Sequence, residues 1–341
     1  MKENKTNIFV GLSQNQINNY ELVIKQLNIQ EENNILLTSQ TLSFDKSLYN
    51  QIYVSDISFD NQSSSLIENL KFIYKKIKNY KHLVKQIEHY KHHKNVWVYF
   101  SYIEDILSNY MALSFNKNAK GIVIEDGILN YYQHNLNSLD MKKVLMKYFL
   151  SNIMGLRFRL YKGHSSGIDY EHVVKQYVRL PEFSINPKKS EQLIIPKKSI
   201  EKFSNSLLIL GQEVSEIKLG NKEYYKRITL LFDKATEIAK KKRIKKIYYK
   251  PHRHGKRLDN QFIKNKLKDF SYEILNASEP IENLYFNQLK SKYIFGFNSS
   301  VIINIPVEID NKNMPEIHVF LEKNDPLYNL FKYLKVNIYK F

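Results

Sequence analysis

A short basic stretch in the second half of the chain carries side chains that could bind a phosphate. It follows a strand pattern at Ile247 to Tyr249, and a proline and a glycine in it end the strand and allow the chain to turn. Donors of His, Arg and Lys at one strand end can converge on a single anion. A solvated basic loop is the alternative interpretation. The stretch consists of Lys250, Pro251, His252, Arg253, His254 and Gly255.

Two adjacent carboxylates in the first half could act as a general base. Glu125 and Asp126 follow the buried strand pattern Gly121 to Ile124, and Gly127 comes next. Because neighbouring side chains of a strand point to opposite faces, we expect only one of the two carboxylates to face a substrate. The sequence does not choose between them. An ordinary Asp-Gly turn is the structural alternative for this motif.

Three further groups could contact a ligand. Gly211 and Gln212 follow a strand pattern at 207–210, and Ser299 and Ser300 follow another at 293–297. Two hydroxyls at a helix N-terminus can bind a phosphate, although they can equally cap the helix. Glu282 comes two residues after Pro280, where a first-turn glutamate complements the helix dipole.

The elements that must position these residues alternate between strand and helix. This alternation predicts parallel sheets covered on both faces, with ligands bound beyond the carboxyl ends of the strands. The motifs Ser65-x-x-Glu68 and Ser101-x-x-Glu104 each predict a helix cap. A stretch with Pro187 and Pro196 breaks the pattern, so we predict domains at 1–185 and 206–341 and a linker at 186–205. Strand patterns occur at 7–10, 35–37, 51–54, 96–100, 121–124, 207–210, 247–249, 272–275, 293–297 and 317–321, and helical patterns at 18–27, 66–87, 224–242 and 262–267.

Composition limits the class of protein and its partners. The chain has 341 residues, no cysteine and a net charge of +18, which indicates an anionic partner. Lack of cysteine excludes disulfides and thiolate chemistry. No run approaches the roughly 18 apolar residues of a membrane span, and the polar N-terminus predicts no signal peptide. The expected location is therefore the cytoplasm.

The sequence predicts no metal and no cofactor. Four histidines in the segment 82–93 lack carboxylate or cysteine neighbours at ligand spacing, so they are interpreted as solvated residues of a helix face. No Asp-x-Asp pair, the usual ligand of a nucleotide-bound divalent ion, occurs in the chain.

The motifs together resemble those of bacterial sialyltransferases. Glu125-Asp126-Gly127 is similar to their D/E-D/E-G motif, Lys250-Pro251-His252 to their HP motif, and Ser299-Ser300 to a serine pair of their donor site. Gly211-Gln212 fits the strand end that opens their second domain. The resemblance covers about residues 7 to 305, and capsule polysialyltransferases and lipooligosaccharide sialyltransferases are the nearest groups. One departure is Arg253, where the family has a proline.

The resemblance implies an α/β fold with two Rossmann-like domains and a cleft between them, the B-type glycosyltransferase fold. It also implies an inverting, metal-independent transfer of sialic acid, or a related nonulosonic acid, from a CMP-activated donor to a surface glycan or glycolipid. Glu125 and Asp126 share the role of base, and His252 assists the departing CMP. A loop after the first strand, with Ser13 and Gln16, faces the acceptor together with Gly127. The implied donor contacts are Gly211, Gln212, Lys250, Pro251, Arg253, Glu282, Ser299 and Ser300.

Two other functions are compatible with parts of the sequence. The charge of +18 and the 44 Tyr and Phe residues (25 and 19) would suit a nucleic-acid-binding protein, but no RNP, KH, zinc-finger or helix-turn-helix signature is present. A transferase of the same fold could use another donor. Because acceptors of the family are carried on membranes, we also expect peripheral association with an anionic membrane at the inner face of the plasma membrane. Lysine-rich segments at 71–94, 188–198 and 240–257 are the candidates for that contact.

Overall fold

The computed structural model describes residues 5–39, 42–55, 66–135, 141–215, 219–252, 255–277, 279–310 and 313–341. The chain divides into two compact units, Met1–Ile194 and Ile195–Phe341. The division falls inside the segment 186–205. Part of that segment is nevertheless a strand, Ser190–Gln192, which pairs with the first sheet.

The first unit contains a parallel sheet of seven strands in the order β3-β2-β1-β4-β5-β6-β7. Its interior is aromatic as well as aliphatic, with Phe9 stacked on Tyr99 at 4.3 Å between ring centroids. The strands of this sheet are β1 Thr6–Val10, β2 Asn34–Ser39, β3 Gln51–Ser55, β4 Val96–Phe100, β5 Lys120–Ile124, β6 Val173–Val178 and β7 Ser190–Gln192.

Helices of the first unit connect these parallel strands. Asp105, and not Ser101, caps the third helix, because the Asp105 carboxylate accepts a hydrogen bond from the Leu107 N–H at 2.8 Å. Ser65 of another predicted cap lies outside the described residues. The helices are α1 Gln14–Gln26, α2 Leu66–Gln86, α3 Ile106–Tyr110 and α4 Met141–Ile153.

The second unit contains a parallel sheet of six strands in the order β10-β9-β8-β11-β12-β13. Its strands are β8 Ser204–Leu210, β9 Lys246–Lys250, β10 Ser271–Ile274, β11 Ser291–Phe297, β12 Glu316–Leu321 and β13 Asn337–Lys340. Its helices are α5 Asn221–Lys241, α6 Asn260–Leu267, α7 Ile281–Leu284, α8 Ser300–Glu308 and α9 Tyr328–Tyr333.

Both sheets have the strand order of a Rossmann-like domain, in which the winding direction reverses once. The reversal lies between β1 and β4 in the first unit and between β8 and β11 in the second. Ligands of such sheets bind beyond the carboxyl ends of the strands near this reversal. Among the residues that the structure describes, no helix is long and apolar enough to cross a membrane.

Candidate active site

Glu125 lies directly after β5 and is wholly buried, with 0% of its surface exposed. Its Oε1 accepts a hydrogen bond from Arg179 Nη1 at 2.7 Å, and its Oε2 accepts from the Arg179 backbone N–H at 2.6 Å. The Tyr131 hydroxyl donates to the same Oε2 at 2.5 Å. This ion pair joins the ends of β5 and β6. A buried carboxylate with these partners is stabilised as part of the scaffold and does not face the solvent.

The Glu125 cluster also fixes the first helix. Asn19 of α1 donates from Nδ2 to the Glu125 carbonyl oxygen at 2.7 Å, and Arg179 Nη2 donates to Asn19 Oδ1 at 3.3 Å. All three side chains are buried. The N-terminal half of α1 is therefore held against the carboxyl end of β5, where the next residue is Asp126.

Asp126 is half-buried and is held by two amide donors of α1. Asn15 Nδ2 donates to Asp126 Oδ1 at 2.8 Å, and Gln16 Nε2 donates to Oδ2 at 2.6 Å. Both donors stand in the first turn of α1, whose dipole favours a negative charge at this end. Asp126 is thus an oriented carboxylate with access to solvent, in contrast to Glu125.

The three residues predicted to face the acceptor, Ser13, Gln16 and Gly127, each have a structural role around Asp126 or at the start of α1. Gln16 is 1% exposed, and its Oε1 accepts a hydrogen bond from the Leu12 N–H at 2.7 Å. Since its Nε2 donates to Asp126, both ends of this amide are engaged, and Gln16 orients the carboxylate. Ser13 caps α1 by accepting from the Gln16 N–H at 3.3 Å. Gly127 has φ of 91° and ψ of −149°, a backbone conformation that only glycine adopts readily.

Tyr102 completes the surroundings of Asp126. It follows β4, which neighbours β5 in the sheet. Burial, reinforced by the negative charge of Asp126, holds the pKa of Tyr102 well above its ordinary value. The Tyr102 hydroxyl therefore stays protonated near the carboxylate.

In the second unit, a buried glutamate organises the strand end that carries His252. Glu213 is 0% exposed, and its Oε1 accepts a hydrogen bond from the Tyr249 hydroxyl at 2.5 Å. Its Oε2 accepts from the His252 backbone N–H at 2.7 Å. Burial raises the pKa of Glu213 above its usual range. His252 is half-buried, and Arg257 donates to its carbonyl oxygen.

Gly211 is required by this arrangement. A Cβ added at Gly211 would lie 2.6 Å from the Tyr249 hydroxyl and 2.8 Å from Glu213 Oε2, which is closer than real Cβ contacts. The glycine therefore allows Glu213 to fold back over the end of β8. In the structure, Gly211 thus contributes to the support of the His252 segment.

The ammonium of Lys250 is bound by the loop after β10. Its Nζ donates to the carbonyl oxygens of Asn276 and Ala277, each at 2.7 Å. Burial lowers the pKa of Lys250 to about 8, partly opposed by the charge of Glu279. Lys250 thus holds the loop after β10, and Pro251 is buried beside it. Arg253 lies outside the described residues.

The reversal point of the second sheet brings the remaining predicted donor residues near one another along β8, β11 and α8. Gln212 Nε2 donates to the Asn298 carbonyl oxygen at 3.3 Å, which links the ends of β8 and β11. Ser299 caps α8 by accepting from the Val301 N–H at 3.4 Å, and Ser300 is the first residue of this helix. Glu282 is the first-turn glutamate of α7, and its Oε1 accepts from Asn304 of α8 at 2.9 Å.

The described residues contain no group of three or more His, Asp or Glu side chains that could hold a metal ion. The carboxylates at the two strand ends are bonded to arginine, amide, hydroxyl and backbone donors instead.

Several organising residues escaped the sequence analysis. Arg179 and Tyr131 become visible as partners of Glu125 only in the fold, because they lie 54 and 6 residues away from it in sequence. Glu213 follows the predicted Gly211-Gln212 directly, and its position after a buried strand was the available signal. Asn15 stands between the predicted Ser13 and Gln16 in the loop that opens α1.

Three solved structures are similar to this chain. The chain is similar to the glycotransferase of kitacinnamycin, with a TM-score of 0.50 and 8% identity over 100% of this chain and 87% of that one. It is also similar to HepE of Anabaena, solved with UDP and glucose, with a TM-score of 0.44 and 8% identity over 99% and 85% of the two chains. The spinosyn forosaminyltransferase SpnP gives a TM-score of 0.47 and 8% identity over 98% and 85%. The predicted B-type glycosyltransferase fold, with two parallel-sheet domains, is confirmed.

Comparison with protein families gives a match over nearly the whole chain. The model of the alpha-2,8-polysialyltransferase family matches residues 1–314. No curated protein matches the chain. The resemblance to bacterial sialyltransferases is therefore confirmed, and the chain belongs to the alpha-2,8-polysialyltransferase family as a sialyltransferase-type glycosyltransferase.

Proposed function

We propose that the protein transfers sialic acid, or a related nonulosonic acid, from a CMP-activated donor to a hydroxyl of a glycan, with inversion at the anomeric carbon. The observation that carries the mechanism is the contrast between Glu125 and Asp126. Glu125 is wholly buried in an ion pair, whereas Asp126 is half-buried and oriented by two amides. We therefore assign the general base to Asp126 and a positioning role to Glu125.

In the proposed reaction, Asp126 is the base and His252 assists the leaving group. Asp126 takes the proton of an acceptor hydroxyl as the hydroxyl oxygen forms a bond to the anomeric carbon of the donor. The bond between that carbon and the CMP phosphate oxygen breaks, and its electron pair leaves with CMP. His252 donates a hydrogen bond or a proton to the departing phosphate.

The donor contacts are proposed at the reversal point of the second sheet. Ser299 and Ser300 at the N-terminus of α8 offer hydroxyls to the phosphate, with the positive end of the helix dipole behind them. Glu282 is proposed to accept hydrogen bonds from the cytidine ribose, as a half-buried carboxylate on the adjacent α7. Gln212 is placed at the same strand ends. Lys250 is proposed to position the 276–277 loop.

A nucleotide screen tests the donor class. The thermal unfolding midpoint of the protein is measured with CMP, UDP, GDP and no nucleotide. A ligand at 100 times its Kd stabilises the folded protein by about 2.7 kcal/mol, which gives a shift of several degrees. We expect this shift for CMP alone. A shift for UDP or GDP without one for CMP would assign the chain to another donor.

The transfer is expected to survive EDTA. The basis is the predominance of hydrogen-bonding and cationic groups at the donor half-site, together with the lack of Asp-x-Asp in the sequence. CMP release from CMP-sialic acid is measured with EDTA, with added Mg²⁺ and with neither. Equal rates within about twofold are expected. Loss of the reaction in EDTA and recovery with magnesium would contradict the metal-free mechanism.

Glu213→Gln is expected to lower transfer by about tenfold while the donor still binds. Glutamine has one acceptor oxygen, so it can accept from the His252 N–H only when its nitrogen faces the Tyr249 hydroxyl, which must then reverse its hydrogen bond. The anchor of the His252 segment is therefore weakened. Steady-state kinetics should place the loss in kcat rather than in KM. Unchanged kcat would show that the anchor has no part in transfer. As a control, Glu237→Gln changes an exposed glutamate of α5 that pairs with Lys234.

The acceptor is proposed to be a surface polysaccharide or lipooligosaccharide that is built on a membrane. The protein would then work at the cytoplasmic face of that membrane and bind it peripherally. The charge of +18 supports this location, because basic residues near an anionic surface each contribute about 1 kcal/mol.

A further inference from the structure

One helix of the first unit exposes an apolar stripe. Met141, Leu145, Phe149 and Ile153 of α4 follow one another at intervals of four residues, which places them on one side of the helix. Their exposed fractions are 46%, 38%, 57% and 82%. Leu160, in the segment after the helix, is 51% exposed as well.

The stripe is not the side of α4 that packs on the core. Val144 and Ser151 are buried, and the partly buried Met146, Tyr148 and Leu150 pack against the hydrophobic core of the first unit. The helix is therefore apolar on two sides, whereas a surface helix normally turns a polar side to water. The long helix α5 follows that rule, since among its described residues Leu230 is the one large apolar side chain that is more than a third exposed.

The segment that carries the stripe has basic side chains and no acidic ones. Residues 141–162 contain Lys142, Lys143, Lys147, Arg157, Arg159 and Lys162, and no Asp or Glu. Lys142, Lys143, Arg157 and Lys162 are exposed. Lys81 of α2 lies beside the end of α4, with its Nζ 3.8 Å from the position of a Cβ at Gly155. An apolar centre with a basic rim is the pattern of a helix that lies in the interface of an anionic membrane.

We propose that this surface, the apolar stripe Met141, Leu145, Phe149 and Ile153 with its basic rim Lys142, Lys143, Arg157 and Lys162, docks the protein onto an anionic lipid surface. This docking surface refines the membrane location given above, and its biological role rests on the proposed function. The sequence pointed to three lysine-rich segments as candidates for membrane contact, whereas the structure points to one helix face. The apolar side chains enter the level of the lipid headgroups while the lysines contact the phosphates.

Two other partners fit this surface less well. A nucleic acid has no apolar layer to cover the stripe, so it would use the lysines and leave the apolar side chains in water. A second copy of the chain would cover the stripe but would bring two basic rims together, at a cost from like charges. An anionic lipid surface satisfies both the stripe and the rim.

The test measures binding to vesicles of phosphatidylcholine with 30% phosphatidylglycerol, without donor or acceptor, at low salt. The double variant Phe149→Ser/Ile153→Ser removes the two most exposed side chains of the stripe, and we expect vesicle binding to fall at least tenfold. Lys142→Glu/Lys143→Glu should cause a comparable fall on these vesicles. Binding of the unaltered protein to pure phosphatidylcholine should also be at least tenfold weaker.

Matched controls are available on α5. Leu230→Ser removes an exposed leucine, and Lys222→Glu/Lys226→Glu changes the net charge as much as the rim variant does. Both controls should bind vesicles within about twofold of the unaltered protein. Transfer to a soluble acceptor should remain within twofold in every variant, so that failure of docking is separated from failure of the proposed activity.

A fluorescence variant keeps the test informative if the double serine variant does not fold. The chain has a single tryptophan, Trp97, so Phe149→Trp adds one indole to the stripe. Its emission should shift to shorter wavelength when anionic vesicles are added. The proposal is overturned if the indole emission shows no shift, or if the α4 and α5 variants lose vesicle binding equally. It is also overturned if the protein is a dimer that does not bind vesicles and that only the stripe variants dissociate.

Discussion

Asp126→Asn is expected to lower kcat by about 10²–10⁴-fold, the range for loss of a general base. The asparagine keeps the size of the side chain and one oxygen for Asn15 or Gln16, so the first unit should remain folded. The amide cannot take the proton of the acceptor hydroxyl. CMP release from CMP-sialic acid in the presence of an acceptor measures the loss, and the thermal shift with CMP should be unchanged.

Glu125→Gln is the decisive comparison for that assignment. Removing the Glu125 charge leaves the Arg179 guanidinium without its buried counter-ion, which should lower the free energy of unfolding by about 3–5 kcal/mol. The two neighbouring variants thus have opposite phenotypes: Asp126→Asn is stable and inactive, while Glu125→Gln is unstable. A stable Glu125→Gln with no transfer, beside an active Asp126→Asn, would reverse the roles of the two carboxylates.

His252→Ala is expected to remove about 2–4 kcal/mol of transition-state stabilisation. The rate of transfer should then fall roughly 30- to 1,000-fold. His252 stands at the carboxyl end of β9, and its backbone is held by Glu213. The alanine keeps the backbone N–H that bonds to Glu213, so the strand end should stay in place. Circular dichroism and the unfolding midpoint check the fold, and CMP release from the donor checks the chemistry.

The histidine prediction has a matched control in the first unit. His172 is exposed, and its side chain pairs with Glu171 next to it. His172→Ala should transfer at the unaltered rate. If His252→Ala also turned over a CMP-sugar at that rate, His252 would have no part in stabilising the leaving group.

The sequence predicted the alternating strands well because apolar runs mark buried parallel strands clearly. It did not predict β6, β7 or β13. Strand β7 is a three-residue edge strand with two exposed residues, and β13 has no buried residue, so neither carries an apolar run. The helix cap at Ser101 was wrong because Asp105, four residues later, supplies the side-chain acceptor.

The sequence located the strand ends that carry the candidate site residues, but not the hydrogen-bond partners of those residues. Asp126 and His252 follow β5 and β9 as expected, since motifs after buried strands are local in sequence. The role of Glu125 depends on Arg179, which is 54 residues away, and that of Lys250 on carbonyls 26 and 27 residues away. Such pairings follow from sheet order and not from spacing along the chain. The sequence therefore could not separate the two carboxylates.

The most direct test of the proposed activity is a transfer assay with purified protein, CMP-sialic acid, a short sialylated acceptor and EDTA. The account predicts release of CMP in step with growth of the acceptor by sialic acid. It also predicts that Asp126→Asn abolishes both signals, while His172→Ala leaves both intact. If the acceptor grows only from another nucleotide sugar, or if Asp126→Asn transfers at the unaltered rate, the proposed donor or the proposed base is wrong.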